Sequence, residues 1–220
     1  MGHLIWLEVL TMNKIKKKDD YIVLDKSNIN LIEDNGCYIF DKNMLTDNIT
    51  IDVPDGYHLE FYLINYDGRK LDVTFNQNND SSLIFNFSII NNDKSNYKVI
   101  NNVLGSNNKT IIKGRIYNNV NADTTCLISG DINKGTINND YTEDVRGLNL
   151  HSNNLVIKPN LIVSTNEVLA NHMVTIGNFD KNKIEYLKEK GLSEENVKKL
   201  LLSNFLNEIF PKELTKKSID

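Results

Sequence analysis

Between residue 20 and residue 177 the apolar positions come in short runs, never at sustained helical spacing. Tyr21–Leu24, Ile49–Val53, Leu59–Ile64, Leu71–Phe75 and Leu83–Ile90 are rich in Ile, Val, Leu, Phe and Tyr, and Thr110–Ile116, Thr125–Ser129, Leu155–Ile157, Leu161–Ser164 and Met173–Ile176 continue the series. Such side chains fit a pleated, half-buried surface, so each run predicts a strand. Polar clusters separate them: Asn78-Asn79-Asp80, Asn91-Asn92-Asp93, Asn107-Asn108, Asn118-Asn119 and Asn138-Asn139-Asp140. Asn tolerates left-handed backbone angles and bonds its own backbone, which makes these clusters corners. Many short strands with frequent corners fit either a sandwich or barrel, or a solenoid. Asn35-Gly36 is the one Asn-Gly hairpin signal among them. Asn-rich corners tip the reading toward a parallel β-helix, in which corner asparagines stack into ladders. No fixed repeat length is visible.

The pattern changes at Asp180. Asp180 is placed to cap a short helix over 181–190, and Gly191 to end it in a left-handed turn. Ser193 then caps a second helix, with Glu194 and Glu195 in its first turn and four residues ahead of Lys198 and Lys199. Val197, Leu200, Leu201, Phe205 and Ile209 form an apolar stripe expected to dock on the body. Leu202 lies off that stripe and is the candidate for a partner patch. Pro211 closes the helix. The organisation expected is an N-terminal extension (1–19), a β-helix core (20–179) and a C-terminal helical hairpin (180–220).

Composition narrows the function. Of 220 residues, 40% are hydrophobic and 25% charged, with a net charge of −4. That balance offers no electrostatic reason to expect nucleic acid or an anionic membrane as partner. The Lys16-Lys17-Lys18 run is followed at once by Asp19-Asp20 and reads as a solvated surface. The apolar stretch Leu4–Leu10 is broken by Glu8 and is too short to span a bilayer, so the expected location is the cytoplasm. Residues 1–11, which precede Met12, carry no functional weight, His3 included. The two cysteines, Cys37 and Cys126, are far apart and without a CxxC partner, so both read as reduced thiols.

One ordered set of residues near the C-terminus is more informative. Pro159-Asn160-Leu161-Ile162-Val163 leads to Asn166-Glu167-Val168-Leu169-Ala170-Asn171-His172, then to Met173-Val174-Thr175-Ile176-Gly177. Tyr186-Leu187, Lys190-Gly191-Leu192-Ser193 and Phe205 follow. Upstream come Gly114-Arg115-Ile116, Leu127-Ile128-Ser129-Gly130 and Leu148-Asn149-Leu150-His151-Ser152. From about residue 110 to residue 209 this order resembles the core of the SufB/SufD family, scaffold subunits of iron–sulfur cluster assembly. The resemblance implies a right-handed parallel β-helix with a C-terminal helical subdomain. It implies a non-enzymatic scaffold that pairs with itself or a SufB-like chain, and whose C-terminal helices bind a SufC-like ABC ATPase. No phosphate-binding Gly-x-x-x-x-Gly-Lys loop is present. No intrinsic cofactor is implied, only a transient iron–sulfur cluster as cargo. Set beside usual members, the chain is expected to be a shortened one, without their N-terminal helical region and several coils.

The same resemblance selects the candidate site. His172 stands at the family's histidine step and is the candidate metal ligand, a neutral imidazole being suited to iron. Its flanks, Asn171 and Met173, are SufD-like rather than the Glu flanks common in SufB. Where SufB-type chains carry a cysteine, this one has Asp144 or a neighbour. That substitution keeps a second reading open, a structural partner without cluster ligation. Lys198, Lys199 and Leu202 are the candidate partner-binding residues. Cys126 reads as a buried small hydrophobe and Cys37 as a turn thiol with nothing nearby to activate it. His58 and His151 read as surface or corner residues, and Arg115 and Arg146 as structural. A carbohydrate-active β-helix would need two converging carboxylates on one strand face, and the acids instead sit mainly among corner asparagines.

Overall fold

The computed structural model describes residues 21–26, 29–30, 32–45, 48–149 and 154–215. The N-terminal segment with His3 and Lys16–Lys18, the coil residues Leu150, His151 and Ser152, and the last five residues lie outside the described part.

Among the described residues twelve strands run in chain order: β1 (Tyr21–Leu24), β2 (Cys37–Phe40), β3 (Asn48–Val53), β4 (His58–Asn65), β5 (Leu71–Gln77) and β6 (Ser82–Asn91), then β7 (Lys94–Val103), β8 (Lys109–Asn118), β9 (Asp123–Ile132), β10 (Asn139–Asn149), β11 (Leu155–Val163) and β12 (Val168–Gly177). They sort into a seven-stranded sheet, β1-β2-β4-β6-β8-β10-β12, and a five-stranded sheet, β11-β9-β7-β5-β3. From β3 onward the chain alternates between the sheets, and neighbours in each sheet pair in parallel. This is the parallel β-solenoid that the corner asparagines predict.

Alternation of burial builds the core. Along β5, Leu71, Val73, Phe75 and Gln77 are buried while Asp72, Thr74 and Asn76 are half-buried on the outer face. The inward residues of both sheets merge into one cluster, with Phe61, Phe75, Phe85 and Phe87 as its aromatic chain at centroid spacings of 5.2–5.3 Å. Each such side chain stabilises the fold by about 1.5–3 kcal/mol through burial alone.

The corners are where asparagine acts. Gly56, Asp80, Asn107 and Asn138 occupy one corner in successive coils, all with positive φ (76°, 54°, 60° and 55°). Asn138 Nδ2 donates to Asn107 Oδ1 (3.1 Å), and Asn107 Nδ2 donates to Asp80 Oδ1 (2.8 Å). A second ladder runs beside it: the Asn108 backbone N–H donates to Asn139 Oδ1, and that of Ser81 to Asn108 Oδ1. On the outer face Asn102 donates to Asn76 and Asn76 to Asp52. Both amide ladders end on an aspartate, which can only accept.

Two strand readings need correction. Leu155–Ile157 and Leu161–Ser164 are not separate strands; β11 runs through Pro159. An edge strand tolerates a residue without an N–H, and β11 is the edge of its sheet. Upstream, β4–β7 alternate between the same two sheets.

After β12 the chain leaves the solenoid. Asp180 caps α1 (Lys181–Glu189), its side chain accepting from the Asn182 N–H. Gly191 (φ 92°) ends it, with Leu192 N–H bonded to Leu187 O and Gly191 N–H to Lys188 O. That pair of bonds is a Schellman cap. Ser193 caps α2 (Glu194–Asn207), and α3 (Lys212–Thr215) follows Pro211.

Candidate functional site

The last coil is incomplete in a way that matters. β12 adds to the seven-stranded sheet beside β10, but among the described residues no strand of the second sheet lies beyond β11. The inward side of β12 is therefore only partly covered. Ala170 and Val174 pack on the core cluster. His172 lies between them on the same side and is exposed.

In the parallel register His172 is the cross-strand neighbour of Glu143 on β10. Glu143 belongs to the inward series Tyr141, Glu143, Val145, whose outer two members are core residues. It is only 1% exposed. Its Oε1 accepts from the Tyr141 hydroxyl at 2.6 Å. Its Oε2 is buried and has no hydrogen-bond partner. Burial pushes the Glu143 carboxyl above the usual carboxylate range, while the Tyr141 hydrogen bond and the His172 imidazole pull it back. Tyr141 owes its position to Gly130 on β9: a Cβ there would meet the Tyr141 ring at 2.5 Å.

Sequence reasoning marks His172 and the neighbourhood of Asp144 but passes over Glu143. The signal was present: a carboxylate at even spacing between Tyr141 and Val145 faces the core once the segment is a strand. Asp144, one residue on, points the other way. Its carboxylate takes Arg115 Nη2 (3.0 Å) and Arg146 Nε (3.0 Å). Arg115 Nε also meets Glu208 Oε1 (2.6 Å), just past α2. Asp144, Arg115 and Arg146 are thus a structural clamp between β8, β10 and the helical segment. Asn86 Nδ2 reinforces it by donating to Ile209 O at 2.8 Å.

The helical segment docks differently from the predicted stripe. Val197, Leu206, Ile209 and Phe210 are buried, the last three in two clusters on the outer face of the seven-stranded sheet. Leu200 is half exposed instead. The true docking face is turned because Leu206 and Phe210, four residues apart, carry the contact into Tyr117, Leu148 and Tyr62. Leu202, placed off the stripe by sequence, is half-buried against the Tyr117 cluster. Lys198 and Lys199 are exposed and paired with Glu194 and Glu195 at 2.8 Å each. All three lie together: Lys198, Lys199 and Leu202 line a groove of about 410 Å³ with Tyr117, Phe179 and Ile184.

The remaining candidates stand apart. Cys126 is fully buried, its thiol pushed up to about 12 by desolvation. Cys37 sits beside Glu60 (Sγ to Oε2 3.7 Å) and is pushed up to about 11, first by burial and then by that carboxylate. Neither is a poised thiolate. His58 is exposed, with Nδ1 2.9 Å from Ser82 Oγ. Among the described residues no three His, Cys, Asp or Glu side chains converge as a complete metal site. No described helix is long and apolar enough to cross a membrane.

Comparison with known proteins agrees with this geometry. Residues 97–205 match the SufBD core domain of the SUF system for FeS cluster assembly, a stretch from β7 to α2 that contains Glu143, His172 and the groove lysines. An iron–sulfur cluster assembly SufBD family protein of Mycobacterium leprae (strain TN) is 38% identical over 55 residues. That similarity covers 24% of this chain and 14% of the relative's length. The chain therefore carries a SufBD core domain and is a distant homologue of the SufBD family.

Proposed function

We propose that the chain is a non-catalytic scaffold subunit in iron–sulfur cluster assembly. In this reading it pairs through the open end of its solenoid with a second copy or a longer SufB-like chain. Its helical groove receives a SufC-like ATPase, and a cluster is cargo rather than a resident cofactor. The observation that carries the reading is the placement of His172, exposed on the inward side of an edge strand whose outer edge is free and whose inward face is only partly covered. A free parallel edge presents unpaired N–H and C=O groups that a second chain can satisfy. Leu169 (70% exposed) and Met173 (51% exposed) on the same strand would be covered by that pairing.

The groove supports the ATPase contact in the same terms. Leu202, Tyr117 and Ile184 supply an apolar floor, and Lys198 and Lys199 a charged rim. Such a centre sets affinity while the rim tunes association rate.

A second reading is favoured by the cysteines. Neither thiol lies on β10 or β12, so the chain contributes no thiolate at the His172 end. In that reading it is a structural partner of the complex that ligates no cluster. Co-expression with a SufC-like ATPase and a SufB-like chain tests the shared part: both should co-purify with the full chain. If neither does, and the chain alone is a monomer at high concentration, the scaffold reading fails.

A further inference from the structure

We infer that the chain from Glu208 to Leu214 is a strap that ties the helical segment to the first coils of the solenoid and keeps the Cys37 thiol quiet through Tyr62 and Glu60. The strap crosses the seven-stranded sheet from its late strands to its early ones. Just before it, Leu206 packs with Leu148 of β10 and Tyr117 of β8. Glu208 meets Arg115 of β8, and Ile209 O accepts from Asn86 of β6. Ile209 and Phe210 then join Tyr62 of β4 and Ile39 of β2 in one buried cluster, against which Leu214 and Tyr21 of β1 pack. The early coils and the end of the helical segment thus share a small core of their own, apart from the one inside the solenoid.

Tyr62 links that core to the thiol. Its ring lies 6.2 Å from that of Phe210 and 5.4 Å, edge-on, from that of Tyr21. Its hydroxyl donates to Glu60 Oε2, two residues back on the same face of β4. Cys37 on β2 is the register neighbour of Glu60, and its thiol donates to that same oxygen at 3.7 Å. One carboxylate oxygen therefore takes both a phenol and a thiol. The phenol holds the carboxylate in place, and the carboxylate opposes a thiolate beside it by like charge. With Phe210 seated over it, the phenol bonds Glu60 rather than water. Lifting the strap wets Tyr62 and Glu60, lets the carboxylate turn into solvent, and leaves Cys37 an ordinary reactive thiol. Burial and the Glu60 charge, which push that thiol up to about 11, are the restraints that lifting relieves. The device rests on these contacts alone, whatever partner engages the helices.

The test is alkylation of the full chain by iodoacetamide at pH 8, read at each cysteine by mass spectrometry, beside hydrogen exchange. In the parent, Cys37 should react at least about tenfold more slowly than in the urea-unfolded chain. Phe210→Ala should raise exchange across 208–215 and speed Cys37 labelling at least about fivefold. Leu214→Ala should do the same more mildly, and because Leu214 is only partly buried it keeps the question answerable should Phe210→Ala unfold. Glu60→Gln removes the charge and leaves the strap seated, so it should speed Cys37 without changing that exchange. Cys126, fully buried in the solenoid core, should stay protected throughout. Cys126 labelling in step with Cys37 would mean global opening and would overturn the inference. Raised exchange across 208–215 with Cys37 as slow as in the parent would overturn it too, as would a parent Cys37 that reacts at the unfolded rate.

Discussion

Arg115 on β8 and Glu208 beyond α2 meet at 2.6 Å, with the guanidinium 3% exposed and also holding Asp144 of β10 at 3.0 Å. One buried cation thus joins the helical segment to the strand that carries Glu143. Asp144 keeps Arg146 Nε at 3.0 Å and Glu208 is partly exposed, so Arg115→Ala leaves neither carboxylate fully orphaned. The variant should therefore cost less than the loss of an isolated buried partner, about 1–3 kcal/mol. It should also raise hydrogen exchange across 194–210 well before global unfolding. Exchange in α2 unchanged from the parent would show that the helices are held by their apolar contacts alone.

The corner ladder makes a sharper stability prediction. Asn107 has φ 60° and bonds both Asp80 and Asn138. Asn107→Ala loses both bonds and adds left-handed strain, for about 1–3 kcal/mol in all. Asn107→Gly loses the same bonds without the strain, so it should be the milder change. Urea denaturation of the two variants checks the order. Equal losses would mean that the bonds, and not the backbone angle, dominate.

Much of this was legible in the sequence, for identifiable reasons. Corner asparagines announce themselves because Asn is the side chain that accepts a left-handed angle and ladders with a copy of itself. The repeat was hidden because the coil length drifts: cross-coil partners are 24 residues apart at His58–Ser82, 27 at Ser81–Asn108, 31 at Asn108–Asn139 and 29 at Thr136–Thr165. Extra residues enter at corners, where they cost little, while the strands keep register. Glu143 was passed over because its meaning depends on a partner 29 positions away in the chain, His172, that only the register supplies. Leu200 misled because helical spacing fixes which residues share a face, not which of two adjacent faces meets the sheet.

Partner binding should follow the groove. Reversing both rim lysines, Lys198→Glu with Lys199→Glu, should slow association with a SufC-like ATPase and weaken its salt dependence. Leu200→Asp, outside the groove lining, should leave the affinity unchanged. Surface plasmon resonance at two ionic strengths separates these outcomes. A large loss in Leu200→Asp would move the contact to the exposed face of α2.

Glu194 provides a pH test of the same helix. Hydrogen bonds and charges from Lys198 and Lys188 hold its carboxyl down to about 2 from an ordinary 4.5. A depressed folded value means that stabilisation is complete above the unfolded value and is lost as pH falls from about 4.5 toward 2. An NMR titration should find Glu194 ionised at pH 3.5, and Lys198→Ala should shift it upward. High salt should do the same, because the pair is solvent-exposed. A Glu194 that titrates at its ordinary value would show that these ion pairs do not persist in solution.

The most direct measurement is anaerobic reconstitution with ferrous iron and sulfide, followed by desalting and Mössbauer spectroscopy. It is run on the chain alone and on its co-purified complex, each beside His172→Ala. A scaffold built around the open end of the solenoid should retain iron and sulfide together in the complex, and His172→Ala should lose most of both while keeping its melting temperature. Equal retention by parent and variant, or none by either, would contradict a cluster-assembly role for this end of the molecule.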